Sequence, residues 1–508
     1  MEKNSIFSNF KKNVVWQMLY QIISILMGVL IPYIVLRTYG SEINGLTNTA
    51  RNMLTLVSLV RAGISTAITY SLYKPINEFN KPKIKSILNS VNKKFKIIAY
   101  WILFLGFLSS SIVTILSDAY LEKYVVFYAC FLLCVNTSVD LWFTSEANVF
   151  LTALQKKYIL SQGLLLGDFV MYVIQFISLL YIKNILLFYF AFSMASLLKI
   201  VFLLHVFHNE VKPYIDTVKY ETEDFNEIYG IRYATINEIA HSVVFATPPI
   251  IVSFFWGFTY SSVLSVYGMV INGLSLVYQV FTSSFMPSFG TICAKENMSY
   301  TNKSFYIFQG FSMIIITYMY MCVAYLLYPF IELYTQGVKD INYVDSTLGI
   351  LYILYGYFYA ARIPYNIVVA STGLFKKSGL QTSLTACFTV LISVLACKYN
   401  YAYVLFGPIV FYSVNTFYQH YFLQKDFLGF KPKKFLNNLL ISSLAITIMY
   451  QARVYIKIQF SNIIIYDFIL KTAFAAVLSF VILLIIHFTF NKEILSFLFN
   501  KKRKDGSY

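Results

Sequence analysis

Long apolar runs alternate with short polar breaks along almost the whole chain. About fourteen of these runs approach the roughly 20 residues that a helix needs to cross the hydrocarbon of a bilayer. Eight fall near residues 14–36, 45–72, 95–116, 124–152, 159–181, 185–206, 230–255 and 260–290. Six more follow near 304–329, 347–372, 379–397, 401–423, 436–455 and 466–489. The pattern predicts an all-α polytopic membrane protein.

The breaks set the organisation. The longest, at 208–229, mixes Lys212 and Lys219 with Glu221, Glu223, Asp224 and Glu227, and it follows the sixth run. The expected layout is an interfacial segment at 1–13, a six-helix bundle at 14–207, a linker at 208–229 and a second six-helix bundle at 230–424. A helix pair at 425–490 and a basic tail at 491–508 complete it. Two equal halves about a polar hinge are what transporters built from internal repeats show. An even number of spans puts both termini on one side. That side collects about 27 of the 40 Lys and Arg, among them Lys156-Lys157, Lys376-Lys377 and the tail Lys501-Lys502-Arg503-Lys504. Basic loops stay in the cytoplasm, so both termini are expected there.

Composition agrees. The 508 residues are 58% hydrophobic and only 12% charged, whereas a soluble domain carries about 25% charged residues. This excludes a soluble enzyme, a disordered chain and a nucleic-acid-binding domain, despite the net charge of +17. The six cysteines lie in or beside apolar runs and form no CxxC, which points to buried hydrophobes rather than a metal site or disulfide framework. Lys3, Lys11 and Lys12 precede a first run too long for a signal peptide, so it is expected to remain as an anchor.

Ionisable groups inside spans are costly and mark bundle interiors, aqueous cavities or ion pairs. The basic ones are Arg51 and Arg61 in the second span, Lys199 in the sixth and Arg362 in the tenth. The acidic ones are Asp140 and Glu146 in the fourth, Asp168 in the fifth and Glu238 in the seventh. At about 100° per residue, Arg51, Thr55, Ser58, Arg61, Ser65 and Thr69 share one arc of the second span. Arg61 and Arg362 sit near mid-span, one in each half. Arginine offers a planar fork for phosphate or carboxylate oxygens, so Arg61, Arg362, Arg51 and Lys199 are the candidates for gripping an anionic substrate. The alternative is that these four cations pair with the four carboxylates, and Lys199 sits near enough to the cytoplasmic end to snorkel. A desolvated carboxylate can also carry a coupling ion. Asp140, Glu146, Asp168, Glu238 and its neighbour His241 are the candidates, H⁺ or Na⁺ the ion, and no other cofactor or metal is expected. On the fourth span Asn136, Asp140, Thr144 and Asn148 form a row at spacing four, and Asp168 and Gln175 share a face on the fifth.

Pro32, Pro248-Pro249, Pro287, Pro364 and Pro408 lie within predicted spans, with a pronounced kink expected at Pro248-Pro249. Tyr and Phe number 43 and 47, and interfacial belts are expected to account for most of the tyrosines.

The stretch Tyr39-Gly40-Ser41-Glu42-Ile43-Asn44-Gly45-Leu46, then Ala62-Gly63-Ile64-Ser65-Thr66-Ala67-Ile68 and Ser71-Leu72-Tyr73-Lys74-Pro75, resembles the first helix pair of bacterial polysaccharide flippases. These are Wzx-type exporters of O-antigen and capsule repeat units, in the multidrug/oligosaccharidyl-lipid/polysaccharide superfamily. The match covers about the first 90 residues. Beyond them the resemblance rests on span number, short loops and the six-six-two organisation. It implies two six-helix bundles in a V, two extra helices that could form a groove for a lipid tail, and a monomer in the plasma membrane. It also implies export of an undecaprenyl-pyrophosphate-linked oligosaccharide for surface polysaccharide synthesis, beside the lipid bilayer and glycan polymerase machinery as partners. Arginines in the central cavity of relatives match Arg51, Arg61 and Arg362 by type and depth. Two other classes compete: a multidrug antiporter, which favours acidic cavity residues, and a membrane glycan polymerase or ligase. The longest outer break, Phe330 to Ser346, holds neither His nor Arg and gives little room for an enzyme's catalytic loop. No GxxxxGK[ST] motif supports ATP use.

Overall fold

In a computed structural model, residues 3–61, 64–116, 121–215, 231–283, 298–372, 374–425, 432–455, 459, 461 and 463–490 are described. Each predicted run is helical over its described residues, and no strand occurs among them. The helices are α1 (Lys3–Tyr39), α2 (Ser41–Val57), α3 (Ile64–Asn77), α4 (Lys81–Leu116), α5 (Lys123–Ala153), α6 (Lys157–Ile177) and α7 (Ile185–Ile215). They continue as α8 (Ile231–Ser283), α9 (Met298–Tyr334), α10 (Ser346–Thr372), α11 (Phe375–Cys397), α12 (Phe406–Leu423), α13 (Pro432–Tyr455) and α14 (Ile464–Phe490). Large apolar side chains remain on the outside of many of them, for example Ile115 at 70% and Val477 at 65% exposed. A hydrocarbon solvent is what such faces require. The protein is a multi-pass membrane protein.

Local chemistry redraws several predicted boundaries. The run at 45–72 is not one α-helix. α2 stops at Val57 and a 3₁₀ turn carries Ser58–Arg61 before α3 begins. A 3₁₀ turn advances about 120° per residue instead of 100°, so four such residues shift the phase by roughly 80° and the arc from Arg51 to Thr69 does not hold as one stripe. The two runs at 230–255 and 260–290 join in α8. Its backbone stays helical through Pro248-Pro249, and the break falls instead at Gly257, whose φ of 83° suits a residue without Cβ. The pronounced kink is therefore a glycine turn, not a diproline one. Pro408 lies in the first turn of α12, after the 3₁₀ segment Tyr401–Leu405, where its missing N–H costs no helical bond. The N-terminal segment runs into α1 without a break from Lys3. Pro287, Cys293, the Ala62-Gly63 pair, most of the 208–229 linker and the basic tail lie outside the described residues.

Two compact units partition the chain, Met1–Ser265 and Val266–Tyr508. In the first, α4 packs on α5, α6 on α7, and α5 also on α7, with α1 against α6 and α2 against α5. Its core runs through Leu46, Ala50, Ala129, Cys130, Cys134, Phe188 and Tyr189. A second cluster gathers Leu72, Ile84, Val91, Phe95 and Phe150. In the second unit α9 packs on α13 and α14, and α10 and α11 on α12. The described cysteines are all free thiols.

The turn between α1 and α2 is held against the second half of α8. Asn44 donates to Ser262 at 2.7 Å and Ser265 at 2.9 Å. Thr49 and Ser261 share a hydroxyl bond of 3.0 Å, and Asn48 donates to the Ser261 carbonyl at 3.3 Å. Gly45 permits this closeness, because a methyl group there would overlap the backbone carbonyl of Phe258. Gly40 (φ 84°) makes the turn that brings α2 into place. The contact thus comes from two glycines plus a row of small hydroxyl and amide side chains, the means by which membrane helices approach closely.

Candidate functional site

Within the first unit, four helices bring charged side chains into one neighbourhood. Arg51, on α2, stands with its guanidinium 5.5 Å from the Phe192 ring centroid, and the side chain is exposed. Tyr172, Tyr189 and Asp168 lie within its electrostatic range. Asp168, on α6, is half-buried and accepts a hydrogen bond from Tyr20 of α1, with Lys199 and Arg51 as its cationic neighbours. Lys199, on α7, donates to Asp140 Oδ2 of α5 at 2.8 Å, and both side chains are about four-fifths buried, at 17% and 20% exposure. The α5 row continues from there. Thr144 donates to the Asp140 carbonyl at 2.8 Å, and Asn148 donates to Thr144 Oγ1 at 3.0 Å. The amide nitrogen of Asn136 and both amide atoms of Gln175 are buried with no hydrogen-bond partner among the described residues.

Cations and anions therefore alternate from Arg51 to Asp168, Lys199 and Asp140. Lys199 is held by a carboxylate rather than snorkelling to the surface. Arg51 differs from it: a ring and a carboxylate lie near it, yet the residue as a whole is exposed. Arg61 is exposed at the end of the 3₁₀ turn. Glu146, also on α5, takes a hydrogen bond from Asn92 and lies near Lys96, both of α4, so its partners are not those of the Arg51 group. Glu238 is exposed and His241 half-buried on α8.

Arg362 belongs to the second unit. It is 6% exposed on α10, with the rings of Tyr412 and Tyr359 at 5.3 and 5.7 Å and Tyr355 nearby. Around it runs a ladder of tyrosines. Tyr359 and Tyr412 meet edge to face at 5.1 Å, Tyr355 and Tyr412 at 5.7 Å, and Tyr267 stacks on Tyr352 at 5.8 Å. Gln309 bonds Tyr365, whose ring meets His420 at 5.5 Å. Belts therefore do not account for these tyrosines. Tyr189, Tyr267, Tyr278, Tyr320, Tyr328, Tyr365 and Tyr412 are fully buried. The signal was in the sequence: Tyr352, Tyr355, Tyr359 and Arg362 recur at helical spacing on one face of α10.

In this conformation Arg362 presents almost no surface to an incoming anion. Arg362 also fills space that nothing else occupies. Replacing it with alanine is expected to lower the stability of the detergent-solubilised protein by about 2–4 kcal/mol, as large-to-small changes in a packed interior do. A thermal melt checks this. An unchanged midpoint would show that the side chain contributes nothing to packing.

No protein-family profile matches the sequence, and no curated protein matches it. Solved structures do match the fold. A lipid II flippase MurJ in an inward closed conformation superposes with TM-score 0.67 at 12% identity, covering 95% of this chain and 100% of that one. An inward-facing multidrug resistance MATE family transporter of the MOP superfamily gives 0.62 at 12% identity, covering 86% and 99%. The MATE multidrug transporter DinF-BH gives 0.54 at 11% identity, over 82% and 95%. The fold is that of the MOP-type transporters. At these identities it is the architecture that is shared, over essentially the full length of the neighbours.

Proposed function

We propose that this protein flips an undecaprenyl-pyrophosphate-linked oligosaccharide from the inner to the outer leaflet of the plasma membrane, for surface polysaccharide synthesis. The observation that carries the reading is Arg51. A permanently charged guanidinium on a membrane helix, with the Phe192 ring centroid 5.5 Å away, offers the donors that a diphosphate accepts. Arg61, and in the second unit Arg362, are further guanidinium groups proposed to contact the substrate. The polyprenyl tail stays in lipid throughout. Both termini are taken to be cytoplasmic, the side that the basic loops favour. With that orientation the Asn44–Ser262 contact lies toward the outer end of its helices, and the proposed cycle requires it to open. Ion binding at Asp168 drives the cycle, because that carboxylate sits between Arg51 and Lys199 and its charge acts on both. The protein moves its substrate without changing it chemically, and it works as a monomer beside glycan polymerase machinery.

In a host lacking its own copy, Arg51→Ala is expected to abolish surface glycan while the protein still reaches the membrane at its normal level. Arg51→Lys retains a fraction, since charge survives and the fork does not. Normal glycan from Arg51→Ala would remove this residue from the substrate path. One observation favours a second reading. Asp168 and Asp140 supply membrane carboxylates of the sort that attract organic cations, and MATE transporters share the fold. Efflux of a cationic dye that Asp168→Asn stops, with surface glycan unaffected, would establish multidrug antiport instead.

A further inference from the structure

Away from the charged cluster, the second unit holds a cavity of about 680 Å³ where the end of α9, the end of α13 and the start of α14 converge. Its walls include Tyr325 and Glu332 of α9, Arg453 of α13, and Asp467, Phe468 and Lys471 of α14. The charged lining is two cations and two anions, with Gln336 and Gln459 beside them. Lys471 and Asp467 pair across one helical turn at 2.7 Å. Arg453 lies with its guanidinium 3.7 Å from the Tyr328 ring centroid, a stacking that uses its face and leaves its edge for oxygen acceptors. Glu332 is exposed in the last turn of α9, the end where the helix dipole disfavours a negative charge, so its own helix gains nothing from it. Tyr267 lies within electrostatic range of both Arg453 and Glu332, which places an anion-seeking and a cation-seeking group at one small site.

The surroundings fix the class of ligand. The cavity lies at helix ends, beside Tyr455 and Tyr466, exposed at 81% and 60%. Tyrosines at span ends mark the level of lipid headgroups. Within its lining, Val454 and Ile464 leave an apolar face exposed, at 42% and 48%. A soluble zwitterion has no use for that face. We propose that the cavity binds a phosphoethanolamine-class phospholipid. The phosphate sits at Arg453, the ammonium at Glu332, and the acyl chains lie against Val454 and Ile464. The site is independent of the substrate path through Arg51, and it rests only on the membrane-spanning fold.

The test uses the full-length protein in nanodiscs of mixed phosphatidylethanolamine and phosphatidylglycerol, released into native mass spectrometry. The wild-type protein is expected to retain phosphatidylethanolamine over phosphatidylglycerol by about tenfold, the effect of one well-placed charge contact. Glu332→Gln should erase that preference while still retaining lipid, and Arg453→Gln should lose both lipids. Thermal melts in detergent confirm that each variant is folded. Equal retention of the two lipids by wild-type protein, or a preference unchanged in Glu332→Gln, overturns the proposal. Displacement of the bound lipid by soluble phosphoethanolamine at equal concentration also overturns it, since the acyl chains would then add nothing.

Discussion

Gly45→Val is expected to part α2 from the second half of α8 and to abolish transport. The reason is geometric. The nearest atoms to a side chain at position 45 are the carbonyl oxygen and carbon of Phe258, backbone atoms that no rotamer change can move aside. α2 must retreat from α8, and the bonds from Asn44, Asn48 and Thr49 to Ser261, Ser262 and Ser265 go with it. At about 0.5–1.5 kcal/mol for each buried bond, their loss moves the closed state by several kcal/mol. A two-state equilibrium shifted that far changes by a factor of about a hundred or more. A cysteine at position 48 in a cysteine-free background reads this out. A membrane-impermeant maleimide added outside should label it slowly in the parent and rapidly with Gly45→Val. Equal labelling rates, with transport retained, would show that the two helices need not meet.

The second large effect concerns the pair between α7 and α5. Lys199→Ala alone strands a mostly buried carboxylate, and Asp140→Ala alone strands an ammonium. Each is expected to cost about 2–4 kcal/mol, somewhat below the figure for a fully buried pair because both side chains retain some exposure. The double variant removes both charges and is expected to recover most of that stability, while export reports separately on whether Asp168 needs Lys199 beside it. Thermal melts and surface glycan measured on all three variants close the cycle. A double variant that is stable but inactive would move Lys199 or Asp140 from a supporting role into the transport path itself.

Much of the fold was legible because membrane spans are set by length and hydropathy, which the apolar runs display directly. The α5 row at 140, 144 and 148 was also legible, since spacing of four on one helix makes neighbours without help from the rest of the fold. Relations across helices were not. Nothing in the sequence says that Lys199 meets Asp140, or that Tyr20 meets Asp168, because each pair depends on which helices pack together and at what rotation. The stripe proposed for Arg51 and Arg61 failed for a local reason, the 3₁₀ turn at Ser58–Arg61, whose residues carry no proline or glycine to announce it. The motif around Gly40 and Gly45 was recognisable as a pattern, and its cause became visible only in the contact with Phe258. The tyrosine ladder was overlooked because abundant tyrosine in a membrane chain suggests interfaces first, although the periodicity of α10 carried the information.

Reconstitution gives the most direct test of the central claim, that the guanidinium of Arg51 conducts a diphosphate-linked glycan across the bilayer. Proteoliposomes are loaded in the inner leaflet with a fluorescent undecaprenyl-pyrophosphate oligosaccharide, and its arrival outside is followed by an impermeant quencher under an imposed H⁺ or Na⁺ gradient. The account predicts gradient-dependent appearance of the glycan with wild-type protein and none above the protein-free background with Arg51→Ala. Equal rates for the two proteins, or no movement of the glycan by wild-type protein that still expels cationic dyes, would contradict it.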